Sequence, residues 1–162
     1  MSKLQQIINT LPQEGELVSI AIRPTKRKPL VYQDEVRLDE TEGIIGDHYQ
    51  GKSGKRQVTL IQQEHLTGVA SMLGVDDVDP LLTRRNLVVK GINLLAFKGR
   101  HFQIGETTLE MTGPCEPCSR MEENFGSGGY NAMRGHGGIC ARVIKGGVIR
   151  AGDKIRLAPA TD

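Results

Sequence analysis

The chain has 162 residues, 38% hydrophobic and 25% charged, with a formal net charge of +2. This size and balance fit one folded domain with a real core and do not indicate disorder. The near-neutral charge makes no case for nucleic acid or membrane as partner, no apolar run reaches spanning length, and the absence of Trp with few other aromatics argues against stacking platforms for single-stranded nucleic acid.

Leu4, Ile7, Ile8 and Leu11 repeat at helical spacing behind a capping Ser2, which predicts a short amphipathic helix ended by Pro12. From Glu16 the pattern turns to short strands. The first spans 17–22, the second 30–38 with partial alternation, and the third, of buried type, 57–61. Leu66, Val69, Ala70 and Leu73 predict a second helix closed by Gly74, with His65 on its exposed polar face. Residues 87–89 read as a strand and 102–111 as a hairpin turning at Gly105-Glu106. The last strands, 139–144 and 154–157, are joined by glycine-rich turns at Gly146-Gly147 and Gly152-Asp153. Many short strands with few helices predict a mainly β fold, a small β-barrel with peripheral helices, without the alternation of a parallel βαβ sheet. The expectation is a single domain over 1–162, with 1–12 a helical extension and the barrel core at about 16–158. The N-terminus lacks the pattern of a secretory signal. Three cysteines, two of them in one Cys-x-x-Cys, fit a reducing cytoplasm better than a disulfide framework.

The stretch from Met111 to Arg142 is the richest in chemistry. It holds all three cysteines (Cys115, Cys118 and Cys140), His136 and a cluster of glycines, and it begins where a strand gives way to a helix. A thiol at such a junction lies near backbone N–H groups that favour negative charge, which suits a nucleophile or a metal ligand. Three readings stand. Cys115-x-x-Cys118 with His136-x-x-x-Cys140 has the spacing of a structural zinc site, although Cys140 also reads as a buried strand residue. A thioredoxin-type dithiol would need a surrounding βαβ pattern. A single cysteine could instead ligate a redox metal carried by an organic cofactor, with an anion-binding surface for that cofactor drawn from Arg84-Arg85-Asn86, Arg56, Arg120, Arg134 and the glycine loop at Gly137-Gly138. His48, in the turn-like Gly46-Asp47-His48-Tyr49, and His136 are candidate proton donors.

The ordered set of Gly46-Asp47, Arg56 to Ile61, Arg84-Arg85-Asn86 with its following strand, Gly91-Ile92-Asn93, Phe102-x-Ile104-Gly105, Pro114-Cys115-x-Pro117-Cys118-x-Arg120-Met121 and Gly152-Asp153-x-Ile155 resembles a MOSC domain. That domain stands at the C-terminus of molybdenum cofactor sulfurases. The resemblance covers nearly the whole chain and implies a β-barrel with a molybdopterin-type cofactor. In the related mitochondrial amidoxime-reducing proteins the cysteine closing Cys-x-x-Cys is the molybdenum ligand, which makes Cys118 the implied metal ligand and catalytic residue. Their Arg-x-Asn contacts the cofactor and corresponds to Arg84 and Asn86. Glu116 stands where they carry a small hydroxyl residue. The chain shows no flavin or Fe–S motif and no pyridoxal-phosphate domain, so it resembles a stand-alone bacterial-type member. The implied function is reduction of N-hydroxylated compounds at molybdenum, with electrons from a separate reductase. A persulfide carrier on Cys118 is the second implied function. A zinc-stapled binding module without catalysis is the third reading.

Overall fold

Seven short strands close into a ring because each buries one face on a shared interior. The computed structural model describes residues 1–48 and 53–159, so Tyr49 lies outside it. In chain order the elements are α1 Lys3–Ile8, β1 Gly15–Ile22, β2 Val31–Gln33, β3 Glu35–Asp39, β4 Gly43–Ile44, β5 Val58–Gln62, α2 Gln63–Leu73, a 3₁₀ turn at Pro80–Thr83, β6 Leu87–Lys90, a second 3₁₀ turn at Leu94–Phe97, β7 His101–Ile104, β8 Thr107–Pro114, α3 Arg120–Phe125, α4 Gly129–Met133, β9 Ile139–Lys145, β10 Gly147–Arg150 and β11 Lys154–Leu157. The ring runs β11-β7-β8-β9-β5-β6-β1 and closes through β1–β11, where Gly15 faces Ile155. β2 hangs on the outside of β1, and β10, β3 and β4 form a small second sheet.

The interior is filled by alternating side chains such as Leu17, Leu60, Val89, Phe102, Leu109 and Ile155, all fully buried. Phe97 and Phe102 stack within it at 4.4 Å between ring centroids. Each such side chain contributes about 1.5–3 kcal/mol of burial. β5 is buried at every position because it has two apolar sides. Leu60 points into the barrel, while Ile61 packs outward with Leu66 and Val69 of α2, Met121 of α3 and Met133 of α4. That second core presses the helices onto one wall, and the functional cleft lies beside it.

The mainly β barrel expected from the sequence is the one observed. α1 forms with both halves of a capping box, Gln5 N–H to Ser2 Oγ at 3.1 Å and Ser2 N–H to Gln5 Oε1 at 2.9 Å. Its apolar residues Leu4, Ile7 and Ile8 are exposed rather than buried. Two features differ from expectation. β5, α2 and β6 make a βαβ unit, since β5 and β6 pair in parallel. The long irregular run between α2 and β6 hides that alternation in the sequence. Gly146-Gly147 is not a simple turn between the last strands. It opens β10, which pairs with β3 through Val148–Arg37 and Ile149–Val36. Two apolar residues between a glycine pair and Arg150-Ala151-Gly152 carry too little periodicity to announce a strand.

Candidate functional site

Four segments bring basic residues to one end of the barrel. The segment after β1 supplies Arg23, Lys26 and Arg27. The 3₁₀ turn before β6 supplies Arg84 and Arg85, and the start of α3 supplies Arg120 beside Cys118. With Arg56, Ser53, His48 and Met121 these enclose a cleft of about 630 Å³. Seven of the chain's 21 Lys and Arg residues line it, against none of the 19 Asp and Glu among the described lining residues. The remainder of the chain is therefore net acidic, and the molecule's positive charge is concentrated in the cleft. Opposed like charges cost energy unless an anion sits between them, so this arrangement is built for a negatively charged ligand.

Arg84 holds a left-handed backbone, φ 61°, at the end of its 3₁₀ turn, a strained conformation for a non-glycine residue. Burial, together with the Arg120 and Arg23 guanidiniums, pushes its own guanidinium below the ordinary value, while Cys118 and Asp47 act the other way. Arg85 is buried and serves the backbone. Its Nε donates to Gly137 O at 2.7 Å, Nη1 to Thr83 O at 3.0 Å, and Nη2 to Cys115 O at 3.1 Å and to Glu116 O at 3.3 Å. These bonds fix the turn between Cys115 and Cys118 and so hold Cys118, an exposed thiol, at the cleft.

The other wall hangs on Asp47. Its carboxylate is 1% exposed and accepts from Arg23 N–H at 2.7 Å and Arg23 Nη2 at 3.4 Å. Asn86 Nδ2 donates to the same carboxylate at 3.3 Å. His48 N–H then donates to Arg23 O at 2.7 Å, which seats the imidazole at the cleft. Arg23 Nε and His48 Nε2 are both buried and lack a hydrogen-bond partner among the described residues. Buried polar atoms are rarely left alone, so two of them on one cleft wall mark a place for a polar ligand.

Cys118, Arg84, Arg56, Arg120 and His48 thus converge on the cleft. Asn86 does not line the cleft. It is 1% exposed, its Oδ1 accepts from Thr59 N–H and Thr59 Oγ1, both at 3.1 Å, and its Nδ2 donates to Ala21 O and Asp47, which makes it a positioning residue. Arg134 is exposed away from the cleft and donates to Asn131 Oδ1. Gly137 and Gly138 are not among the described residues that line the cleft. A Cβ at Gly137 would lie 2.1 Å from Cys115 O, and one at Gly138, where φ is +84°, would lie 1.8 Å from Leu60 O, so close backbone packing requires both glycines. His136 faces His65 edge-on at 4.9 Å between ring centroids, which places neither ring at the cleft and leaves His65 half-buried instead of exposed. Cys115 and Cys140 are buried together, apart from His136. The sequence reading missed Arg23, Lys26 and Arg27. The signal was the basic run from Arg23 to Lys28 directly after an apolar strand.

Residues 36–156 match the MOSC domain family. The chain belongs to that family. No curated protein matches it. The MOSC chain is similar in fold to YuaD from Bacillus subtilis, with a TM-score of 0.78 at 20% identity, over 92% of this chain and 98% of that one. It is similar also to YiiM from Escherichia coli, with a TM-score of 0.69 at 21% identity over 93% and 72% of the two chains. For YiiM from Geobacillus stearothermophilus the TM-score is 0.68 at 19% identity, over 90% and 75%. Within the MOSC barrel the basic cleft and Cys118 sit at the end of the β8–β9 ribbon.

Proposed function

We propose that the cleft binds a molybdopterin-type molybdenum cofactor and that the protein reduces the N–O bond of N-hydroxylated small molecules, using electrons from a separate reductase. The observation that carries this reading is one exposed thiol, Cys118, set among seven cationic side chains in a cleft with no acid among its described lining residues. A phosphate-bearing cofactor whose metal takes one soft protein ligand asks for that combination. The two orphaned atoms, Arg23 Nε and His48 Nε2, fit the same group, because a polar ligand would satisfy both.

In this reading Cys118 is the metal ligand, and Arg84, Arg56 and Arg120, joined by Arg23, hold the cofactor's phosphate and pterin. When bound, the cofactor supplies the two-electron redox chemistry. Arg84 and Arg120 neutralise the anion, and their mutual repulsion falls when it enters. His48 lines the cleft and can carry a proton to the oxygen released from the substrate, since reductive N–O cleavage consumes protons as well as electrons. Met121, fully buried beneath the cleft, closes its floor against water.

The deciding experiment is metal and cofactor analysis of protein produced with molybdate. Molybdenum and fluorescent pterin products in equal amounts are expected, with both lost in a folded Cys118→Ser variant. Stoichiometric zinc, or a persulfide on Cys118 without molybdenum, overturns the reading.

A further inference from the structure

Cys115 and Cys140 are nucleophilic groups that the cleft chemistry leaves unused. Cys140 lies on β9, and Cys115 directly follows the neighbouring strand β8. Gly113 of β8 faces Cys140 of β9, and Cys115 N–H donates to Gly138 O at 2.9 Å, so the two cysteines stand diagonally on the same face of the ribbon. Cys140 Sγ donates to Pro114 O, the carbonyl directly before Cys115, at 3.9 Å. Cys115 is 1% exposed and Cys140 7%. Arg85 stands between the pair and the cleft. It lines the cleft on one side and bonds the Cys115 carbonyl on the other.

We propose that Cys115 and Cys140 form a reversible redox pair that a hydroperoxide entering past Arg85 oxidises to a disulfide. Their burial selects a small oxidant and keeps out bulky disulfides such as oxidised glutathione. In the first step the Cys115 sulfur attacks the terminal peroxide oxygen. The O–O bond breaks, a sulfenic acid forms on Cys115, and the departing hydroxide or alkoxide takes a proton to become water or alcohol. In the second step the Cys140 sulfur attacks the Cys115 sulfur. The S–O bond breaks, water leaves with the proton from Cys140, and the disulfide closes. The two thiols lose two electrons and the peroxide gains them. A proximal positive charge favours the nucleophilic thiolate, and the Arg85 guanidinium, with Arg56 and Arg23 further off, supplies it and helps push Cys115 down to about 6. Oxidation then removes that negative charge from beside Arg85, so the redox state of the pair bears on the electrostatics of the cleft wall.

The test is peptide mapping after treating reduced protein with hydrogen peroxide at neutral pH and alkylating it under denaturing conditions. Trypsin places Cys115 and Cys118 in the peptide 101–120 and Cys140 in 135–142. Expected are a loss of two hydrogens, a link between these peptides that is retained in Cys118→Ser, and reversal by dithiothreitol. In Cys140→Ser the reaction should stop at a Cys115 sulfenic acid that dimedone traps. A Cys115–Cys118 link, or oxidation confined to Cys118 with Cys115 and Cys140 both alkylated, overturns the proposal. The wild-type map reads the link even if a variant fails to fold.

Discussion

Asn86 Nδ2 donates to Asp47 Oδ1 at 3.3 Å across 39 residues of chain. This bond joins the start of β6 to the loop that carries His48, and the same amide also ties β6 to Thr59 of β5 and Ala21 of β1. One buried side chain therefore sets the relative position of both cleft walls. The Asn86→Ala variant leaves the Thr59 N–H and the Ala21 carbonyl unpaired inside the protein and is expected to cost about 3 kcal/mol. Chemical denaturation measures the loss. Phosphate binding in the folded fraction should weaken as well, because Asp47 no longer holds Arg23 and His48 in place.

Arg84 lines the cleft within reach of the Arg120 and Arg23 charges. Its guanidinium can present two parallel N–H groups to a phosphate, whereas an ammonium offers a point charge. In the Arg84→Lys variant the charge count stays the same and the fork is lost. Pyrophosphate affinity should fall about tenfold, or about 1.4 kcal/mol, with stability changed by less than about 0.5 kcal/mol. Calorimetric titration beside a melting curve checks both halves. Equal affinity for the two proteins would remove Arg84 from the anion site.

The barrel was legible in the sequence because its strands carry period-two apolar patterns and its turns carry glycine. β7 and β8 around Gly105-Glu106 show this directly. The second sheet was not legible. β4 has two residues and β10 four, and short pairings leave almost no periodic trace. At the site, Arg84, Arg56 and Arg120 were legible as residue types able to meet an anion, Cys118 as a soft metal ligand and His48 as a proton donor. Arg23 was not singled out because its place depends on Asp47, 24 residues away, and on the closure of the barrel. Asn86 was assigned contact with the cofactor, but only the fold shows that its amide is already fully used by protein groups.

Gly138 tests how far backbone packing dictates composition in the loop before β9. Its φ of +84° disfavours a side chain, and an added Cβ would overlap Leu60 O of the central barrel strand. Gly138→Ala is expected to cost about 3 kcal/mol or more, because both strain and steric displacement act. Gly126 has the same φ of +84° with nothing within 4 Å of an added Cβ. Gly126→Ala should therefore show the conformational cost alone, about 1–3 kcal/mol, because its ψ of −172° completes a backbone conformation that essentially only glycine adopts. If the two variants melt alike, the contact of Gly138 with β5 is not what fixes that residue.

Stability should rise with pH above about 6 for a reason that lies in Cys115. Its thiol is lowered from 9.0 to about 6, first by the hydrogen bond from Cys140 and then by the Arg85, Arg56 and Arg23 guanidiniums, against the opposing effect of burial. Between those two values the native chain holds one proton fewer on this residue than the unfolded chain, so rising pH favours the native state. Below about 6 both states are protonated and the contribution is gone. The slope can approach about 1.4 kcal/mol per pH unit. Cys140 works the other way. The Cys115 charge and burial push its thiol up, so above about 9 the unfolded chain loses a proton that the native one keeps, and stability falls again. His65 adds its own rising limb below about 6.5, because burial and His136 lower its value and disfavour the charged form. Cys115→Ser separates the two limbs. It should flatten the rise between about pH 6.5 and 8.5 and leave the His65 limb in place. Urea denaturation under reducing conditions across that range gives the comparison, and a wild-type slope unchanged by the substitution would mean that Cys115 carries no thiolate in the folded protein.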